Sequence, residues 1–183
     1  MSDFTDASVR DWQFGPSFTN GFPSESALAE FTDHFKTPHP KSLLAYWRGQ
    51  CSSDEIPSRE DLHPSEMKPL LERLSIWERC SDGEDNLIRL IGTLAAEIFE
   101  RDPSGMRISA CFPSSWADLL NRSNACLYDK MQPLYASYNL APMGRGHVGI
   151  EHLALPLRRG GSRAELSLHA FARLPSLAAR PTY

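Results

Sequence analysis

Residues 147–174 read HVGIEHLALPLRRGGSRAELSLHAFARL. Apolar residues alternate on either side of the short turn RRGGS, and this pattern leaves the chain few choices. Each run is predicted to be a strand, and a link this short makes the two antiparallel neighbours. Successive side chains on a strand point to opposite faces. Leu166, Leu168, Ala170, Ala172 and Leu174 therefore share one face of the second run, opposite Glu165, Ser167, His169 and Arg173. The first run changes phase: Val148 and Ile150 lie on one face, Leu153, Leu155 and Leu157 on the other. A one-residue slip of this kind predicts a β-bulge near Glu151 and His152. Pro156 is expected at an edge, a bulge or a strand end, because it cannot donate to a sheet ladder.

The rest of the chain supplies partners for this hairpin. LYASYNLA, joined through PMGRG, reads as a third antiparallel strand. LSIWERC and NLIRLIG, linked by SDGED, form an earlier hairpin with its bend at Asp82-Gly83. Between these two groups, TLAAEIFERD is a short helix started by Thr93. PSSWADLLNRSNACLYDKM is a long one, capped by Ser114 or Ser115, with Trp116, Leu119, Leu120, Leu127 and Met131 on a single stripe. Upstream, residues 24–36 carry Leu28, Phe31 and Phe35 at helical spacing behind a Ser24 or Ser26 cap. PKSLLAYWRGQ is a second helix, with Gly49 placed for its C-cap, and IPSREDLHPSEMKPLLERL holds one or two helical turns. Residues 1–23 show no sustained period and read as an irregular arm. The order is helices, two strands, a helical middle and three strands, which predicts an α+β domain.

The segments LLAYWRG (43–49), IPSREDLHPSEM (56–67), RLIGTLAAEIFERDPSG (89–105) and EHLALPL (151–157) occur in this order. In these phrases and in its element order the chain resembles PAS domains, and more narrowly the small single-domain PAS-like proteins typical of alphaproteobacteria. The resemblance covers residues 40–174, leaving 1–39 as an N-terminal arm and helix and 175–183 as a C-terminal tail. It implies a PAS-like, five-stranded antiparallel sheet with helices on its inner face and an N-terminal helical extension. It also implies a sensory or adaptor module that binds a small molecule between sheet and helices, or another signalling protein. PAS domains often dimerise through N-terminal helices, so Leu28, Phe31 and Phe35 become dimer-interface candidates and a homodimer is expected. Phe99, Phe112, Trp116, Tyr135, Tyr138, His152, Ala170 and Ala172 are the pocket candidates for a small apolar ligand. The last two are singled out because alanine leaves the expected inner face shallow opposite Ile98, Phe99 and Trp116.

No cofactor is expected. SACFPSSW lacks the Asn and Arg that accompany the reactive Cys of flavin-binding PAS domains, and no His lies between Thr93 and Met131, where haem-binding PAS domains present theirs. His147, His152 and His169 fall on strands, where hydrogen-bonded structure is the commoner role. No His, Cys or Asp spacing indicates a metal. IGTLAA and GRGHVG are explained by turns, since neither places a Gly-rich frame ahead of a helix as a phosphate loop does. The alternative to a signalling module is a small orphan enzyme of acid–base or isomerase type using Glu151 and His152, with Tyr135 and Tyr138 on the neighbouring strand. That reading needs the bulge to aim both side chains to one side. The net charge of -4 carries no basic stripe, which argues against nucleic acid. No stretch approaches a membrane span, and the acidic, polar start MSDFTDASVRDW is unlike a secretory signal. Cys51, Cys80, Cys111 and Cys126 are widely spaced and read as reduced thiols, so a cytoplasmic protein is expected.

Overall fold

The computed structural model of the protein describes residues 13–15, 23–52 and 55–175. Most of the predicted irregular arm and of the C-terminal tail lies outside the described residues. The chain runs β1 (Gln13–Phe14), α1 (Glu25–Thr32), α2 (Pro38–Gln50), three single 3₁₀ turns within 59–73, β2 (Leu74–Arg79) and β3 (Asn86–Ile91). It continues through α3 (Thr93–Phe99), α4 (Ile108–Cys111), α5 (Ser114–Lys130), β4 (Leu134–Leu140), β5 (Arg145–Arg158) and β6 (Ala164–Arg173). The strands form one antiparallel sheet in the order β1-β4-β5-β6-β2-β3. It has six strands among the described residues, not five. The extra one is the two-residue β1, which pairs Gln13 with Ser137 and Phe14 with Ala136. Two residues are too few to show an alternating pattern.

Several local expectations hold. The Ser24 hydroxyl accepts from Ala27 N and caps α1, which stops at Thr32, and α2 covers PKSLLAYWRGQ but starts two residues earlier, at Pro38, as a residue lacking an N–H allows. Others shift. Gly49 lies inside α2, which ends at a Cys51 C-cap, and α5 is preceded by Pro113, with no side-chain cap from a serine. Gly92 precedes α3, and a Cβ there would come within 2.3 Å of the Leu71 carbonyl oxygen. The glycine in IGTLAA thus lets the last 3₁₀ turn cross over the chain.

The β4–β5 and β5–β6 registers run unbroken through Ile150–Ala154, so the bulge expected near Glu151 is absent. The phase change has another cause: both faces of the sheet are buried. Leu153, Leu155, Leu157, Leu166, Leu168 and Ala170 cluster with Leu28 and Phe31 of α1 and with Leu43, Leu44 and Trp47 of α2. Ile150, Phe171, Tyr138, Ala136 and Trp77 cluster with Ile98, Phe99, Ile108, Phe112 and Trp116 of α3, α4 and α5. A strand covered on both sides needs apolar residues in both phases. Pro156 lies past the end of β4, where the β4–β5 pairing has stopped. Its carbonyl accepts from the Trp47 indole Nε1 at 2.9 Å, tying α2 to the sheet.

This architecture corrects the face assigned to β6. Ala170 and Ala172 do not look toward α3–α5; they lie on the outer face, with the N-terminal helices. The α3–α5 side carries Ser167, His169 and Phe171. The dimer candidates are corrected too. Phe31 is fully enclosed and Leu28 buried within the chain's own core, while Phe35 packs edge-on against Phe31 and tilted against Tyr135. α1 buries Leu28 and Phe31 on its own sheet, so these two side chains are taken up within the chain, while Phe35 stays partly exposed.

Candidate functional site

The inner face of the sheet, under α3–α5, is where the structure concentrates buried polar chemistry. Ser75 and Trp77 on β2, Asn86 on β3, His152 on β5 and Ser167 and His169 on β6 all project into it, joined by Asn124 and Tyr128 from α5. All are nearly or fully buried. The rings pack in a compact group. Trp77 stacks on His169 with centroids 3.9 Å apart, His152 stacks on Phe171 at 4.4 Å, and Phe99 meets Phe171 edge-on at 5.2 Å.

These polar groups form one continuous hydrogen-bond chain. The Tyr138 hydroxyl is 3.5 Å from His152 Nδ1, His152 Nε2 is 2.8 Å from His169 Nδ1, and His169 Nε2 is 2.7 Å from Ser167 Oγ. Ser167 Oγ lies 3.0 Å from the Tyr128 hydroxyl, which donates to Asn86 Oδ1 at 2.8 Å. Asn86 Nδ2 donates to Asn121 Oδ1 at 2.8 Å, and Asn121 Nδ2 donates to Asp85 Oδ1 at 2.9 Å. Asp85 ends the chain at the β2–β3 turn, where it also accepts from Asn86 N and from the Ser109 hydroxyl of α4.

Burial dominates the electrostatics. Desolvation lowers the His152 pKa to about 3 and pushes that of His169 well down, with His152 adding to the effect, so both rings are neutral. The Tyr128 and Tyr138 hydroxyls are raised for the same reason. At Asp85 burial works toward a higher pKa. The Ser109 and Asn121 side chains and backbone N–H groups outweigh it and hold the carboxyl below its usual range.

The space left is small. A cavity of about 10 Å³ is bordered by Leu120, Asn124, Leu127, Leu134, His152 and His169. That is at the lower limit for one water molecule. Of the eight pocket candidates, Phe99, Phe112, Trp116, Tyr138 and His152 gather on this inner face. Tyr135, Ala170 and Ala172 lie on the opposite face and cannot border the same site.

Glu151 and His152 also face opposite ways. Glu151 is fully buried on the outer face, accepting from Lys36 N at 2.5 Å, from the Tyr135 hydroxyl at 2.9 Å and from the Thr37 hydroxyl. It clips the α1–α2 junction to the sheet. Without the bulge the two residues cannot meet a common substrate, which removes the geometry the acid–base alternative needed. Further round the outer face, beyond the helices, a groove of about 450 Å³ exposes Leu90 and Ile76 between Arg59, Arg89 and Arg159. Arg89 and Arg159 share Glu78. The Arg89 hydrogen bond, working against burial, is the main cause of that carboxyl's lowered pKa.

A PAS domain family model matches residues 35–168, well over half of the chain. The chain belongs to the PAS domain family. Among solved structures, a domain of an HTR-like protein from Haloarcula marismortui is similar to this PAS domain at 12% identity, with a TM-score of 0.42. The match covers 56% of this chain and 98% of that one. No curated protein matches this PAS domain. Among its described residues, no group of three His, Cys, Asp or Glu is placed to hold a metal ion, and no helix is long and apolar enough to cross a membrane. The four cysteines are free thiols.

The sequence reading missed Ser167, His169, Asn86, Asn124, Tyr128 and Asp85. For the first two the alternation was legible but not the burial, because an antiparallel sheet commonly leaves one face to solvent. The link from Asn86 to Tyr128 spans 42 positions, and no local pattern announces it.

Proposed function

We propose that this PAS domain is a non-catalytic sensory or adaptor module of cytoplasmic signalling, of the small single-domain kind its sequence resembles. One observation carries the reading: the inner face holds neutral, hydrogen-bonded polar groups and stacked rings around a water-sized void. This interior offers a small molecule rings and hydrogen-bond partners, yet admits one only if the helical layer moves. Sensing and shape change are thereby linked. The groove beside Leu90, with its three arginines, supports the adaptor side of the reading. A homodimer, if it forms, uses a surface other than Leu28 and Phe31.

Native mass spectrometry of freshly purified protein tests this reading. The expected result is a stoichiometric small molecule, or a co-purifying protein partner, on the folded chain. A bare monomer that captures neither, even from extract of its own host, would overturn it.

A further inference from the structure

The inner-face chain has a direction, and one residue sets it. A carboxylate only accepts hydrogen bonds, so Asn121 must turn its NH₂ toward Asp85 and its oxygen toward Asn86. Asn86 then donates through Nδ2 and keeps its oxygen for Tyr128. Tyr128 has one proton and gives it to Asn86, so the Ser167 proton goes to Tyr128 at 3.0 Å, the nearer of its two acceptors, or to Asn124 Oδ1 at 3.4 Å, and in both cases Ser167 accepts from His169. His169 therefore carries its proton on Nε2 and presents a bare Nδ1. His152 must fill that acceptor with its own Nε2–H, leaving its Nδ1 to accept from Tyr138. The chain branches at Ser167, toward Asn124, and both branches leave the same nitrogen of His169 to donate.

We infer that this chain is a one-way relay: Asp85, at the β2–β3 turn and bonded to α4, dictates the tautomers of His152 and His169 in the core. The inference rests on the sensory reading for its purpose. A molecule entering beside His152 would meet a ring whose bare nitrogen is fixed from the surface end. Any molecule that forces the other tautomer must reverse the bonds as far as Asn121, where the Asp85 carboxylate, which cannot donate, opposes the change. Asp85, Asn121, Asn86, Tyr128 and Ser167 are positioning residues acting through one another.

The test is long-range ¹H–¹⁵N correlation on protein labelled with ¹⁵N-histidine. In the wild type both core histidines should be neutral with the proton on Nε2. In Ser167→Ala, His169 Nε2–H loses its acceptor. Buried N–H groups are left unpaired more rarely than buried acceptors, so both histidines should move to the Nδ1–H form, including His152, which makes no hydrogen bond to Ser167. Ser167→Thr should keep the wild-type pattern. Tyr138→Phe, at the far end, should leave both tautomers unchanged, because polarity is imposed from Asp85. A wild-type Nδ1–H signal at either position would overturn the relay, and so would a Ser167→Ala protein in which His152 stays put or a Tyr138→Phe protein in which it moves. The wild-type and Tyr138→Phe spectra decide the matter even if Ser167→Ala does not fold. The tautomers are read with no ligand or partner present, so this result and that of native mass spectrometry fail independently.

Discussion

Ala170 sits 1% exposed in the cluster that α1 and α2 make with the sheet. Its small side chain is enclosed by that cluster. Ala170→Leu should therefore overpack the outer core and destabilise the fold by roughly 1–3 kcal/mol, seen as a lower denaturant midpoint with an unchanged slope. An Ala170→Leu protein at least as stable as the parent would show that the outer face has slack. At this scale the sequence told which residues are buried far better than which way they point. Phe99, Phe112 and Trp116 were legible as interior rings because large apolar side chains have few other places to go. Ser167 and His169 were not, because polar residues in an alternating strand mimic a solvated face. The second helical layer that buries them is a property of the fold and not of the strand.

Among the elements, helices and strands with a clear period lie where the spacing predicts, from α1 through β6. The elements that were missed are β1 and α4, of two and four residues, too short for any period to form. The expected bulge that is absent has the opposite origin: a real pattern with a second physical cause. The most consequential element-level contact is Glu151, whose carboxylate gathers Lys36 N, Thr37 and Tyr135 at the junction of the N-terminal helices. Replacing it with alanine leaves these donors without their acceptor. Hydrogen bonds to charged groups contribute about 1.5–3 kcal/mol each, so Glu151→Ala, which removes three, should cost on the order of 5 kcal/mol. The loss should be local first. Hydrogen exchange should quicken in α1 and α2 well before β5 and β6, and uniform quickening across the sheet would argue that the clip has no special hold on those helices.

For the molecule as a whole, the two neutral histidines set a pH dependence. In the folded protein His152 titrates near 3 and His169 well below its usual value, whereas both titrate near 6.5 once unfolded. Between these limits the unfolded chain binds protons that the folded one refuses, so stability falls as pH drops below about 6.5. The slope approaches about 1.4 kcal/mol per pH unit for each histidine. Asp85 and Glu78, whose folded pKa values are lowered, add losses of the same sign only in the carboxylate range. Urea midpoints at pH 7, 6 and 5 should therefore decline before any carboxylate titrates, and His169→Gln should flatten that decline. A midpoint constant from pH 7 to pH 5 would mean the rings charge without cost. The fold class was legible at this scale because the order of elements survives errors in any one of them, and the family match from 35 to 168 bears it out.

The sheet is roofed on both sides: Trp47 bonds to Pro156 from one, and Tyr128 bonds to Ser167 from the other. It is therefore a partition shared by two compartments. Volume taken up in one is drawn largely from the other, because interiors are close-packed and the histidine side holds a void of only about 10 Å³. A guest that swells the histidine side pushes the partition toward the N-terminal helices, and loosening those helices makes room for the guest. The two would then favour each other with no hinge, no lid and no contact between them.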